Sequence, residues 1–273
     1  TCDRLARIDV PAKSWLLFAI AFPAVLANLL AGHNGFLTAA LLAGALALLD
    51  EQPILAGLLF GALAYKPQFG LMIPLALLAT GRWRSIAGAV ATVAALALAC
   101  TAVFGTEIWS AFRGSEEFTR TVVLEQGGTG FYRIISMFAW VRLWGGGVPL
   151  AYALQFLVTI LCAVAVVKLW RSEVSREIKG AALCIAGILA TPYSLDYDLM
   201  ALAPAIALLA ADGIARGFAP WQKWIIAGLW LMPFVARAAA LASLPVAVPM
   251  MIAALAWMVA SATSAKPVLL AKA

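Results

Sequence analysis

The chain is 273 residues long, 64% hydrophobic and only 12% charged, with a mean hydropathy of +0.98. Soluble domains carry roughly a quarter of their residues charged, so this composition excludes one and describes an all-α polytopic membrane protein, a single integral unit over 1–273. The formal net charge of +6 is not a nucleic-acid footprint, because the basic residues stand in short loops beside apolar runs rather than in one patch.

The first residues, Thr1-Cys2-Asp3-Arg4-Leu5-Ala6-Arg7, hold no apolar signal-peptide region, and the expectation is the downstream part of a longer protein. Residues 15–30 predict a first span with Pro23 inside it, followed by a polar turn carrying His33 and Asn34. Residues 36–49 are short for a span of ~20 residues and end at Asp50-Glu51-Gln52-Pro53. Residues 54–65 and 69–80 flank Lys66-Pro67-Gln68. Pro removes a backbone donor and disfavours helix just before it, so this interruption predicts a hairpin apex, with one kinked span as the competing reading.

Residues 86–104 read as a clean span. They feed the longest polar stretch, 105–136, expected to be a long outer-face loop. Residues 138–144 suit the membrane interface through Trp140 and Trp144. A span over 149–170 is followed by charged residues 171–179. Residues 181–190 then lead into Thr191-Pro192-Tyr193-Ser194-Leu195-Asp196-Tyr197-Asp198, and 199–211 lead away. Spans over 224–240 and 246–260 bring the total to about ten transmembrane helices. Cys100, Cys162 and Cys184 lie in apolar runs and Cys2 stands alone, so neither a disulfide framework nor a zinc site is indicated.

Assigning loop ends to alternate faces puts 13 of the 19 basic residues on one face. The other receives Lys66, Arg113, Arg120, Arg133, Arg142 and Arg237. Cytoplasmic loops carry the excess of Lys and Arg, so the richer face is expected to be cytoplasmic, with both termini there. The outer face then collects His33, Asn34, Lys66, Gln68, the 105–136 stretch and the acidic turn.

Ionised carboxylates are costly at or near a bilayer and tend to occupy wet, protein-lined cavities with a job. Asp196 and Asp198 are candidate general bases, of which one faces the cavity if the turn is extended. Their alternative is to pair with Arg120, Arg133 or Lys66 and close the loop. A plain polar turn in headgroup water is the blander reading. Lys66, Arg113, Arg120 and Arg133 suit a phosphate anion, Arg through paired hydrogen bonds and Lys as a point charge, with Gln68 adding an amide. Pairing with lipid headgroups or with Glu116 and Glu117 would explain the same cations. His33 is the only histidine and suits a hydrogen-bonded helix end better than a metal. Tyr132, Tyr193, Tyr197 and Trp109 could stack on a sugar or anchor the interface.

Three runs carry a resemblance: residues 33–42, residues 55–68 ending in Tyr65-Lys66-Pro67-Gln68, and residues 191–198. Over about 15–211 the chain resembles glycosyltransferase family 87, bacterial membrane proteins similar to polyprenol-phosphate-mannose-dependent mannosyltransferases. The resemblance implies a GT-C fold in the bacterial plasma membrane. It implies transfer of a hexose, mannose in those relatives, from a polyprenyl-phosphate donor to an envelope glycan or glycolipid acceptor on the outer face. No cofactor, nucleotide sugar or obligatory metal is implied. The family's Lys-Pro-Gln motif maps to Lys66, Pro67 and Gln68 and its first polar turn to His33 and Asn34; together with Arg120, Arg133, Tyr193 and Tyr197 these are the chain's candidate substrate-binding residues. Relatives often carry Gln where His33 stands, and the mycobacterial branch has histidines near Tyr197 and Asp198. The family's general base is expected upstream of Thr1, leaving Asp198 and Asp196 as the chain's own catalytic candidates. Two other readings compete: a transporter or flippase for a lipid-linked or small anionic solute, in which Asn28 inside a span would matter, and an inactive truncated remnant.

Overall fold

A computed structural model describes residues 12–264 of the chain. Cys2, Arg4, Arg7, Lys266 and Lys272, and the side chain of Lys13, lie outside the described residues. The first apolar run is not continuous. It forms α1 (Ala12–Ala21) and α2 (Pro23–Ala31), parted at Phe22 because Pro23 cannot donate into the preceding turn and instead starts a new helix. α2 closes on Gly32, whose left-handed backbone (φ 63°) suits glycine. α3 (Gly35–Leu48) follows.

α4 (Pro53–Ala62) breaks into two 3-10 turns, Leu63–Tyr65 and Pro67–Gly70, before α5 (Met72–Ala79). Arg82, past the end of α5, pairs with Asp50, before the start of α4, at 2.7 Å. The two ends therefore share a face and Lys66 lies at the far apex, as a hairpin requires. α6 (Trp83–Phe104) then runs parallel to α4. A Cβ at Gly57 would strike the Ser85 carbonyl, one at Gly61 would meet Ala89 O and Thr92, and one at Gly88 would meet Ile54 O. Small residues four apart let two backbones approach in this way, since helices in lipid associate by close packing rather than by hydrophobic burial. The rest of α6 is mostly exposed.

The stretch expected to be a long loop is largely helical. α7 (Ile108–Phe118) continues as a π-helical segment, Thr119–Glu125, and a 3-10 turn, Phe131–Arg133, ends it. Ile108, Trp109 and Phe112 share one side of α7 among charged residues, which diluted the helical period. α7 buries no residue and has the two-sided character of a helix lying in a membrane interface. In α8 (Met137–Leu143) Phe138 is fully buried, whereas the following Trp144 is exposed and donates to Ser243 O at 2.8 Å. The expected interfacial position therefore suits Trp144 and not the whole 138–144 run.

α9 (Val148–Arg171), with one side exposed, packs on α10 (Arg176–Leu189), which forms the centre. Residues 180–189 of α10 are all buried, as expected for a helix apolar on every side. α11 (Leu202–Arg216), α12 (Gln222–Leu241) and α13 (Ala247–Ser264) complete the bundle. Four helical segments among the described residues are long and apolar enough to cross a membrane: α6, α9, α12 and the continuous 196–216 segment ending in α11. The other apolar runs are shorter or interrupted, Pro23 breaking the first and Pro67 standing at the apex between α4 and α5.

Candidate functional site

The buried α10 delivers the acidic turn. Its last carbonyls would be orphaned at a helix end, but α9 satisfies them: Gln155 Nε2 donates to Leu189 O at 2.9 Å and Thr159 Oγ1 to Ala190 O at 2.7 Å. The Tyr193 N–H donates to Thr191 Oγ1 at 3.1 Å, and the Leu195 N–H donates to Asp198 Oδ2 at 2.9 Å. A 3-10 turn over Asp196–Ala201 then runs into α11.

Four separate elements hold this turn. From the α4–α5 apex, Lys66 Nζ donates to Asp198 Oδ1 at 2.6 Å, with side-chain exposures of 10% and 1%. From α2, the buried Asn28 donates through Nδ2 to Tyr197 O and Ala24 O, both at 2.9 Å, and accepts the Gly35 N–H at 2.9 Å. From the segment before α8, the Ile135 N–H donates to Ser194 O at 2.6 Å, and Ile134 and Leu195 form an antiparallel bridge. From α12, Arg237 Nε meets Asp196 Oδ2 at 3.2 Å.

The two carboxylates thus have different surroundings. Asp198 is buried and fully engaged, while Asp196 stands nearer the rim. Both are paired, Asp198 with Lys66 as one sequence alternative held and Asp196 with Arg237, which that alternative did not include. The Tyr197 ring stacks on His33 with centroids 3.6 Å apart, and the Lys66 ammonium lies 4.8 Å from the same ring. Burial raises the Tyr193 phenol above its ordinary pKa and the Asp198 charge adds to this, so it stays a protonated donor.

The other expected residues divide. Arg133 is half-buried, its Nε has no partner among the described residues, and its charge acts on Tyr197. Gln68 is half-buried with no side-chain hydrogen bond among the described residues. The Asn34 side chain is exposed, and its carbonyl accepts from Tyr65 Oη at 3.4 Å. Arg120 is not drawn into the site: it is exposed and paired with Glu117 at 2.6 Å and Glu125 at 2.9 Å. Asn28 and Arg237 are neighbours of the turn that the sequence reading did not join to it. Asn28 was visible as an amide inside a span, and Arg237 as a cation on the face where cations are scarce. Because Asn28 is closed into the framework by three hydrogen bonds, it is not a free polar group on a pathway. Among the described residues no three His, Cys, Asp or Glu gather as a metal set.

A family model described as glycosyltransferase family 87 matches residues 2–192. No curated protein and no solved structure matches the chain. The matched residues include His33, Asn34, Lys66 and Gln68 and stop just before Tyr193. The acidic turn beyond them is joined to the matched part through Lys66 and Asn28.

Proposed function

The chain belongs to glycosyltransferase family 87 and is a membrane glycosyltransferase by that membership; from this premise we propose that it moves a hexose, mannose by resemblance, from a polyprenyl-phosphate donor to a glycan or glycolipid acceptor of a bacterial envelope. The reaction takes place at the outer face of the plasma membrane, on a GT-C-type bundle with both termini cytoplasmic. The observation that carries the reading is the acidic turn clamped by four elements at one face, beside an arginine whose Nε is unpartnered among the described residues.

In the proposed step an acceptor hydroxyl attacks the anomeric carbon, the bond to the lipid phosphate oxygen breaks with inversion, and a carboxylate takes the hydroxyl proton. Arg133 receives the leaving phosphate, because its guanidinium is not already spent on a carboxylate. Of the turn's two carboxylates Asp196 is the more accessible. Lys66 and Asp198 neutralise each other and act as positioning residues, holding Tyr197 and Asp196 in place. Tyr193, Tyr197 and His33 offer faces and donors for the sugar, with Gln68 and Asn34 at its edge.

An apolar cavity of about 620 Å³ supports a lipid-borne donor. It runs between α1, α11 and α12, walled by Phe18, Phe22, Ile206, Trp230 and Leu231, and reaches Met200, two residues from Asp198. An isoprenoid tail would fill such a groove while its phosphate stands at the site. The test is transfer of radiolabelled sugar by the purified chain in lipid nanodiscs, with polyprenyl-phosphate mannose and nucleotide-linked mannose compared as donors. Transfer from the lipid donor, lost in Arg133→Gln, is expected; transfer from the nucleotide donor alone would overturn the reading.

A further inference from the structure

A second concentration of positive charge lies at the opposite end of the bundle. α3 rises about 20 Å from Asn34 to Asp50, so Asp50 stands far from the acidic turn. Beside it is a cavity of about 50 Å³ between α3, α9, α10 and α11. Space of this size takes a few waters or one tetrahedral oxyanion.

Three cations line it, Arg82, Arg176 and Lys179, against one carboxylate, Asp50. Arg82 gives Nη2 to Asp50 at 2.7 Å and Nη1 to Leu49 O at 3.2 Å, yet its Nε is buried with no partner among the described residues. Arg176 turns its Nε to Glu177 at 3.0 Å, and that carboxylate is shared with Arg216. The Lys179 ammonium has no ion pair or hydrogen bond among the described residues and is half-buried. Leu46 and Leu208 form an apolar floor. A cavity with surplus positive charge at its mouth and hydrocarbon beneath suits an anion carried at the membrane surface. Basic pockets between helices hold lipid phosphates by this combination.

We infer that the cleft between Asp50, Arg82, Arg176 and Lys179 binds a phosphate-bearing anion, with Arg82 and Arg176 as forks and Lys179 as a point charge. Lipid headgroup phosphate and free inorganic phosphate share this chemistry. The site is separate from the sugar-transfer face and does not rest on the reading of that face.

The test uses the full chain in two arms. In the first, phosphatidylglycerol is titrated into phosphatidylcholine nanodiscs, and retained lipid is read by native mass spectrometry together with the thermal midpoint. In the second, inorganic phosphate is titrated in detergent. A headgroup ligand raises the midpoint in the first arm, and free phosphate does so in the second. One lost cation near the surface weakens binding about fivefold, the loss expected for Lys179→Gln. Lys168→Gln removes an exposed cation at the same end that does not line this cleft, and should bind as the parent does. Arg82→Gln also breaks the Asp50 pair and can disturb folding, whereas the Lys179 ammonium has no partner to lose among the described residues. No response in either arm, or equal loss in Lys179→Gln and Lys168→Gln, overturns the inference.

Discussion

Lys66→Met, Asp198→Asn and the double variant form a cycle that tests whether the lysine holds the turn or holds substrate. The pair is 2.6 Å apart, with side-chain exposures of 10% and 1%, so either partner left alone becomes a buried uncompensated charge. Such a loss costs about 3–5 kcal/mol. Lys66→Met strands the Asp198 carboxylate on the Leu195 N–H alone, and Asp198→Asn strands the ammonium over the Tyr197 ring. The double variant leaves no orphan charge, so its cost should fall below the sum of the singles by at least about 2 kcal/mol. Reversible unfolding in mixed micelles measures the three costs, and donor titration under transfer conditions follows binding. Independent sites add within about 0.5 kcal/mol; additivity of that kind would refute the reasoning. So would tighter donor binding in Asp198→Asn, because it would show the freed lysine to be a phosphate ligand in its own right.

Asn28→Leu should orphan the Gly35 N–H and the Tyr197 carbonyl at about 1–3 kcal/mol each, and hydrogen exchange should rise around residues 195–200; unchanged protection there would remove Asn28 from the clamp. Gly61→Leu should lower the thermal midpoint, since its Cβ would meet the Ala89 carbonyl, and overpacking of this kind costs about 1–3 kcal/mol. Gly70→Ala meets nothing within 4 Å and should be neutral by comparison. At the other end, burial pushes the Glu177 carboxyl up, but its own backbone N–H, Arg176 and Arg216 outweigh this and hold it below the ordinary glutamate range. The unfolded chain therefore binds that proton more readily, so the stabilisation is complete above about pH 4.5 and fades as pH falls through the lower folded value. A pH series of unfolding midpoints should be flatter at its acid end in Glu177→Gln.

What could be read from the chain was where polarity is confined. Hydropathy located the apolar runs, and Pro67 between two short runs was enough for a hairpin with Lys66 at its apex. The Thr191-to-Asp198 stretch announced itself because carboxylates stand there between apolar runs. Pairing was less legible, since Lys66 and Asp198 meet across 132 positions and Arg237 reaches Asp196 from a later helix. Only the packing of α2, α12 and the α4–α5 apex around the acidic turn brings these residues to one place. The helix α7 was missed for a different reason: its apolar side is three or four residues wide and carries charges between, so composition resembled a loop.

Most of the elements that meet at the acidic turn do so where helices stop, α12 alone giving Arg237 from within its length. α2 ends at Gly32, α4 at the turn before Pro67, and α10 just before Pro192. An unbroken helix satisfies its own backbone and offers neighbours only side chains, whereas a broken one presents carbonyls and N–H groups that must find partners. Here those partners are drawn from the site: Tyr197 O takes Asn28, Ser194 O takes the Ile135 N–H, and the Leu195 N–H takes Asp198. The same interruptions that lower each segment's own stability therefore tie the segments to one another. In a bilayer, where helices have little apolar drive to associate, this is a direct way to fix two carboxylates, a lysine and an arginine to a rigid frame. Separating any one of the four clamps should loosen the turn while leaving the long helices α6 and α9 intact, since neither ends at the site.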